Sequence, residues 1–144
     1  MRIYLDNCCF NRPFDDQKQA RLRLQAEAKL YIQERIRDGS LELVWSYILD
    51  FENAMNPFEE RRTTIGGWKE YATADIEETP AILEQANILM GAGLRAKDAL
   101  HLSCAMAAGS EFFVTTDDAI LKCSENLEGI TVVDPTSFVR ERNL

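Results

Sequence analysis

Four short segments rich in strand-forming apolar residues, separated by longer helix-forming stretches, place the strongest constraint on how this chain can fold. The segments cover residues 2–5, 41–45, 112–114 and 130–133. Long helical connections join strands that run in the same direction, whereas antiparallel strands can be joined by a tight hairpin. The alternation therefore predicts an α/β fold with a mostly parallel sheet.

The stretches between these segments have the composition and the end signals of helices. Ser46 is a suitable N-cap for the second helix, and Pro57 stops that helix. The middle of the chain, residues 56–93, is expected to be helical throughout. Helices are predicted over residues 17–37, 46–56, 59–71, 80–91 and 96–108, with a short one after Pro135.

Length and charge narrow the class of protein. The chain has 144 residues, 46% of them hydrophobic, which suits a single domain over residues 1–144. A net charge of −8 excludes a broad basic surface that would hold nucleic acid by neutralising many phosphates, although local basic residues can still contact them. Without a signal peptide or a membrane-spanning stretch, we expect a cytoplasmic protein with no membrane partner.

The four cysteines do not have the spacing of a zinc site or of a disulfide framework. Cys8 and Cys9 are adjacent, and Cys104 and Cys123 stand far from them in sequence. We therefore expect reduced, buried thiols that bind no metal.

Two acidic residues, Asp6 and Asp117, directly follow apolar strand segments. In parallel sheets, ligands bind at the carboxyl ends of the strands, so both are candidates for one site. A further candidate lies early in the helix that starts at Ser46, where Glu52 and Asp50 project about 200° apart and only one can face a given site.

The apolar helix over residues 96–108 has an acid, Asp98, in its first turn. The helix dipole favours an acid there even without a function, but the apolar surroundings favour a role in a site. His101 follows one turn later; it could hold a phosphate or a carboxylate, although a single histidine is more often a packed or surface residue.

Four segments together resemble the bacterial PIN-domain proteins, and among them the toxin nucleases of the VapC type. They read RIYLDNCCFNRPFDD, WSYILDFE, KDALHLSCAMAAG and FFVTTDD, and their order matches that family over almost the whole chain. The resemblance implies a PIN-like three-layer α/β/α sandwich around a sheet of about four to five strands. It also implies a ribonuclease that depends on Mg²⁺ or Mn²⁺, because hard cations prefer oxygen ligands and activate water.

The residues that match the acidic motifs of the family are Asp6, Glu52, Asp98 and Asp117, the expected catalytic set. Asp6, Asp98 and Asp117 are the expected metal ligands. The spacing from Ser46 favours Glu52 over Asp50, and that from Thr115 favours Asp117 over Asp118. Supporting or substrate-binding roles are expected for Asn7, Arg12, Thr115 and Asp118.

The resemblance further implies single-stranded RNA as substrate, an antitoxin protein as partner, and a homodimer. Two alternatives stay open at this point. The chain could be a catalytically idle PIN-like scaffold that binds a protein or RNA, although its acidic positions are intact. An aspartyl-phosphate phosphotransferase would require Asp-x-Asp after the first strand, where this sequence has Asp6-Asn7-Cys8.

Overall fold

The computed structural model of the chain describes residues 1–11, 19–142 and 144. Arg12, expected near the substrate, and the start of the helix predicted over residues 17–37 lie outside these residues. The strands are β1 (Arg2–Leu5), β2 (Glu42–Ser46), β3 (Ala72–Ile76), β4 (Phe112–Val114) and β5 (Thr131–Val133). The helices are α1 (Asn7–Asn11), α2 (Ala20–Arg37), α3 (Tyr47–Ala54), α4 (Glu59–Gly67), α5 (Pro80–Gly91), α6 (Ala96–Ala107), α7 (Asp118–Cys123) and α8 (Pro135–Arg142), with a 3-10 turn at Trp68–Tyr71.

The strands form one parallel sheet in the order β3-β2-β1-β4-β5. Helices flank the sheet, so the α/β/α sandwich with a mostly parallel sheet of about four to five strands is confirmed. Strand β1 lies at the centre, and Ile3, Tyr4 and Leu5 are fully buried because helices and neighbouring strands cover both faces. From β1 the chain continues to β2 and β3 on one side of β1, and it then returns to place β4 and β5 on the other side. The strand order therefore reverses between β1 and β4, and ligands bind at such a switch point in parallel sheets.

Strand β3 corrects the prediction that residues 56–93 are helical throughout. It pairs with β2 at the edge of the sheet and is half-buried, with its apolar residues Ala72, Ala74 and Ile76 less exposed than the polar ones between them. An edge strand needs only one apolar face, so it lacks the continuous apolar run of a central strand. The alternation of apolar and polar residues was the available signal.

Side-chain caps fix the starts of two helices near their predicted positions. The Ser46 hydroxyl accepts a hydrogen bond from the Leu49 amide (3.3 Å) and begins α3 directly at the end of β2. Thr79 caps α5 in the same way, and Pro80 occupies the first turn. Helix α5 packs on α6, and α2 packs on α8. Among the described helices, none is both long and apolar enough to cross a membrane.

The loops after β1 and β4 contain short helices that the sequence did not indicate. Asn7 begins α1 where a turn was expected, and α7 follows Asp117. The cysteines are free thiols, and Cys9 and Cys104 are buried as expected. Cys8 is half-buried and Cys123 is exposed, so the prediction of buried thiols is wrong for Cys123: its helix lies at the surface.

Candidate metal and nuclease site

The first acid, Asp6, directly follows β1 and is only 6% exposed. Its Oδ1 accepts a hydrogen bond from the Asn7 amide (2.8 Å), and its Oδ2 accepts one from the Thr115 hydroxyl (2.8 Å). The Cys8 thiol also donates to Oδ2 (3.4 Å). These donors hold the carboxylate in one orientation at the switch point of the sheet.

Thr115 connects the ends of β1 and β4. Its buried hydroxyl donates to Asp6 and accepts a hydrogen bond from the Asp117 amide (3.1 Å). The Asp117 carboxylate caps α7 by accepting from the amides of Ala119 (2.8 Å) and Ile120 (3.3 Å), both through Oδ1. Asp117 thus has a structural role at a helix start, and no hydrogen bond of the described residues is recorded at its Oδ2.

Glu52 reaches the site from α3 and meets His101 of α6. The two side chains are 2.5 Å apart at Glu52 Oε1 and His101 Nε2, and the same ring nitrogen is 4.0 Å from Asp6 Oδ1. Asp50, two residues earlier, instead accepts from Trp45 Nε1 (2.9 Å) and pairs with Lys69 (3.0 Å). Helix geometry therefore places Glu52, and not Asp50, beside Asp6.

The environment keeps Glu52 ionised. Burial alone would raise its pKa, but the hydrogen bond from His101, the positive charge of that ring when it is protonated, the charge of Lys97 and a hydrogen bond from Asn7 together lower the pKa below its usual value. Asn7 therefore contributes its side chain to this part of the cluster. Glu52 is therefore an ionised carboxylate held by hydrogen bonds from His101 and Asn7.

Asp98 has the opposite environment. Burial and the negative charges of Asp6, Asp117 and Glu52 raise its pKa to about 6, and the nearby His101 offsets this only in part. The charges of all three other predicted acids therefore act on the pKa of Asp98. A cation that neutralised the cluster would remove this penalty.

Two clefts lie beside the acids. One, of about 260 Å³, is lined by Asn7, Glu52 and Arg61 together with the exposed ring of Phe58. The other is smaller, about 120 Å³, and its lining includes Arg95, Asp98 and Asp117. Each cleft thus combines an arginine with members of the acidic cluster.

Comparison with known proteins identifies the fold. No family model matches the sequence, and no curated protein matches it either. Among solved structures, the chain is similar to a chain of VapBC2 from Rickettsia felis, a structure solved with a bound DNA fragment from the VapBC2 promoter. The TM-score is 0.59 and the sequence identity is 11%, and the match covers 92% of this chain and 97% of that one. It is also similar to PAE2754 from Pyrobaculum aerophilum, at TM-score 0.56 and 16% identity over 100% of this chain and 91% of that one.

The chain has a PIN-type, VapC-like fold. The resemblance drawn from the four motifs is thereby confirmed at the level of the fold, and at these identities the likeness concerns the fold alone. Any activity must be argued from the side chains at the switch point.

The PIN-type fold brings Asp6, Glu52, Asp98 and Asp117 to one edge of the sheet, with Asn7 and Thr115 as hydrogen-bonding neighbours. Asp118 is placed elsewhere: it is exposed and pairs with Arg21 at 2.7 Å. No definite role was predicted for His101, although its position one turn after Asp98 was a usable signal. Within the described residues, no three acidic, histidine or cysteine side chains already stand at the spacing of a formed metal site.

Proposed function

We propose that this chain is a metal-dependent endoribonuclease that hydrolyses phosphodiester bonds of single-stranded RNA. The observation that carries the proposal is the convergence of four acids: Asp6 and Asp117 are bridged by Thr115, Glu52 meets Asp6 at His101 Nε2, and Asp98 lines one cleft with Asp117. The raised pKa of Asp98, caused by burial and by the charges of the other three acids, agrees with it. Uncompensated carboxylates at a strand-end switch point are costly for the free protein, and such clusters are characteristic of functional sites.

The donors fit a hard divalent cation by their chemistry. Carboxylate oxygens are the ligands that Mg²⁺ and Mn²⁺ prefer, and their charge is uncompensated here. Asp6, Asp98 and Asp117 would hold the cation, which would supply a nucleophilic hydroxide and stabilise charge on the phosphate.

Neighbouring residues position the acids of the cluster. Thr115 and the Asn7 amide hold Asp6 in place, so its oxygens need no reordering when substrate binds. His101 and Asn7 hold Glu52 ionised beside Asp6, where the carboxylate can accept a hydrogen bond from an attacking water. Thr115 also sets the position of Asp117 through the Asp117 amide.

The surroundings of the acids suit a single strand better than a duplex. The Phe58 ring is 56% exposed at the edge of the larger cleft, with the Arg61 guanidinium 4.5 Å above it. An exposed aromatic ring next to an arginine can stack an unpaired base and contact the adjacent phosphate. Arg95 in the smaller cleft would take the phosphate on the other side of the acids. With a net charge of −8, the protein has no excess of basic residues that could neutralise the phosphates of a long duplex.

We also propose that the protein is the toxin of a toxin–antitoxin pair. The support is its structural likeness to VapBC2 from Rickettsia felis. Co-expression with the product of an adjacent reading frame, followed by purification, tests this proposal: a stable complex that no longer cleaves RNA supports it, and active, partner-free protein in the presence of that product contradicts it. The homodimer stays a prediction.

The test of the nuclease is cleavage of single-stranded RNA with Mg²⁺, Mn²⁺ or EDTA. The wild type should cleave with either cation and not in EDTA. Asp6→Asn and Glu52→Gln should reduce cleavage at least 100-fold, on the order of the loss when a catalytic electrostatic contact is removed. Asp50→Asn is the matched control, because Asp50 is on the same helix as Glu52 but outside the cluster.

Cleavage that persists in EDTA would overturn the metal mechanism. Cleavage that is reduced equally by Asp50→Asn and Glu52→Gln would overturn the assignment of the second acid. Failure of freshly purified, partner-free wild type to cleave any RNA would favour the catalytically idle scaffold.

A further inference from the structure

A buried chain of polar groups runs from β1 to the acidic cluster. Tyr4 Oη is 2.6 Å from Ser46 Oγ and 2.6 Å from His101 Nδ1. The opposite nitrogen of the same ring, Nε2, is 2.5 Å from Glu52 Oε1. Tyr4, Ser46 and His101 are fully buried, so their polar atoms must be satisfied by protein groups.

The directions of these hydrogen bonds follow from the two ends of the chain. At one end, Glu52 is ionised and can only accept, so His101 Nε2 must carry a proton. At the other end, Ser46 Oγ accepts from the Leu49 amide (3.3 Å), so its own proton is available to donate to Tyr4. With Ser46 as the donor, Tyr4 donates its proton to His101 Nδ1, which is then unprotonated.

One further observation agrees with this order. Burial raises the pKa of Cys104 to about 12, against the lowering by Ser46, so this neighbour of Ser46 stays a thiol and does not require the Ser46 proton.

We propose that Tyr4 anchors the single histidine of this chain through Nδ1 in its Nε2–H tautomer, so that His101 acts as a positioning residue that holds Glu52 beside Asp6. The core-facing strand thereby orients an acid that comes from a different helix. The catalytic consequence rests on the proposed nuclease function, whereas the tautomer does not.

The direct test is ¹⁵N NMR of untagged protein labelled only at histidine. The sequence contains one histidine, so two ring signals are expected without assignment. In the wild type at pH 8, Nε2 should show a bonded proton and Nδ1 should show none. In Tyr4→Phe, which keeps the ring stacked on Phe113 at 5.3 Å, Glu52 should still hold the Nε2 proton, but Nδ1 loses its hydrogen bond and its signal should shift towards that of an unprotonated nitrogen without a donor.

Tyr47→Phe is the matched control. Tyr47 lies on α3 at the partly buried margin of the core, and its hydroxyl has no hydrogen-bond partner among the described residues. This change should leave both histidine signals and RNA cleavage unaltered. In Tyr4→Phe, kcat should fall roughly 10- to 100-fold with KM little changed, as for other residues that orient an acid of a metal site.

Rescue separates orientation from simple packing. His101→Gln can present an N–H to Glu52 and should retain more activity than His101→Leu, which cannot. A protonated Nδ1 in the wild type, or unchanged ring signals in Tyr4→Phe, would overturn the inference even if the nuclease is confirmed. If the wild type cleaves no RNA but shows the expected signals, the nuclease proposal fails and the assignment of the tautomer stands.

Discussion

The Asp98→Asn variant tests whether the acids repel one another in the metal-free protein. The pKa of Asp98 rises from its ordinary 3.8 to about 6 through burial and the charges of Asp6, Asp117 and Glu52. A carboxyl whose pKa is raised by folding stabilises the protein fully only below pH ~3.8, and this stabilisation is lost as the pH rises through about 6. An asparagine carries no charge, so the variant does not suffer this loss.

The magnitude follows from the pKa difference. A rise from 3.8 to about 6 corresponds to an upper limit of about 3 kcal/mol. Because the Asp98 side chain is partly open to solvent, screening reduces the usable value to about 1 kcal/mol. For a chain of this size, 1 kcal/mol shifts the melting temperature by roughly 3 °C.

The assay is thermal unfolding in EDTA at pH 8 and pH 4, with Asp50→Asn as the control. The melting temperature of Asp98→Asn should be about 3 °C above that of the wild type at pH 8 and equal to it at pH 4. Asp50→Asn removes the same charge but also a partner of Lys69, so it should give no gain at pH 8. With Mg²⁺ added, the order should reverse, because only the wild type gains stability from binding the cation. A gain of equal size at both pH values would refute the electrostatic reasoning.

Three further predictions concern single groups. Thr115→Val should lower the free energy of unfolding by about 1 kcal/mol in urea, because Asp6 and the Asp117 amide lose their shared hydroxyl, and should also reduce cleavage. Phe58→Ala should leave folding intact and weaken binding of single-stranded RNA by about 1–3 kcal/mol in a fluorescence titration. Iodoacetamide followed by mass spectrometry should label Cys123 first and spare Cys104, whose pKa burial raises to about 12; rapid native labelling of Cys104 would contradict its placement.

The sequence predicted those elements whose residues are buried on both sides. Strands β1, β2 and β4 each contain a continuous run of three apolar residues, and that pattern is enough to recognise a central parallel strand. Strand β3 was missed because Ala72–Ile76 lies at the edge and follows a helical region interrupted by Gly66 and Gly67. Its pairing with β2 is a tertiary effect that local propensity does not contain.

The same division applies to the candidate site. Asp6 and Asp117 could be selected because each directly follows a strand end. His101 could not be given a role, because its partners Tyr4 and Glu52 are 97 and 49 residues away in sequence. Asp118 shows the converse: it has a residue type and a position as favourable as those of Asp117, but α7 turns it towards Arg21.

The candidate site has two halves, and β1 with the residue that follows it contributes a side chain to each. Asp6 belongs to the half that Thr115 connects to Asp117, and Tyr4 belongs to the half that His101 connects to Glu52. Tyr4 and Asp6 are two residues apart, so an extended backbone sends both side chains to the same face of the sheet. The register of β1 between β2 and β4 therefore sets both halves at once. A shift of one residue would replace Asp6 by Leu5 or Asn7 and remove Tyr4 from His101, so the core pairing that fixes this register also fixes the geometry of the acids.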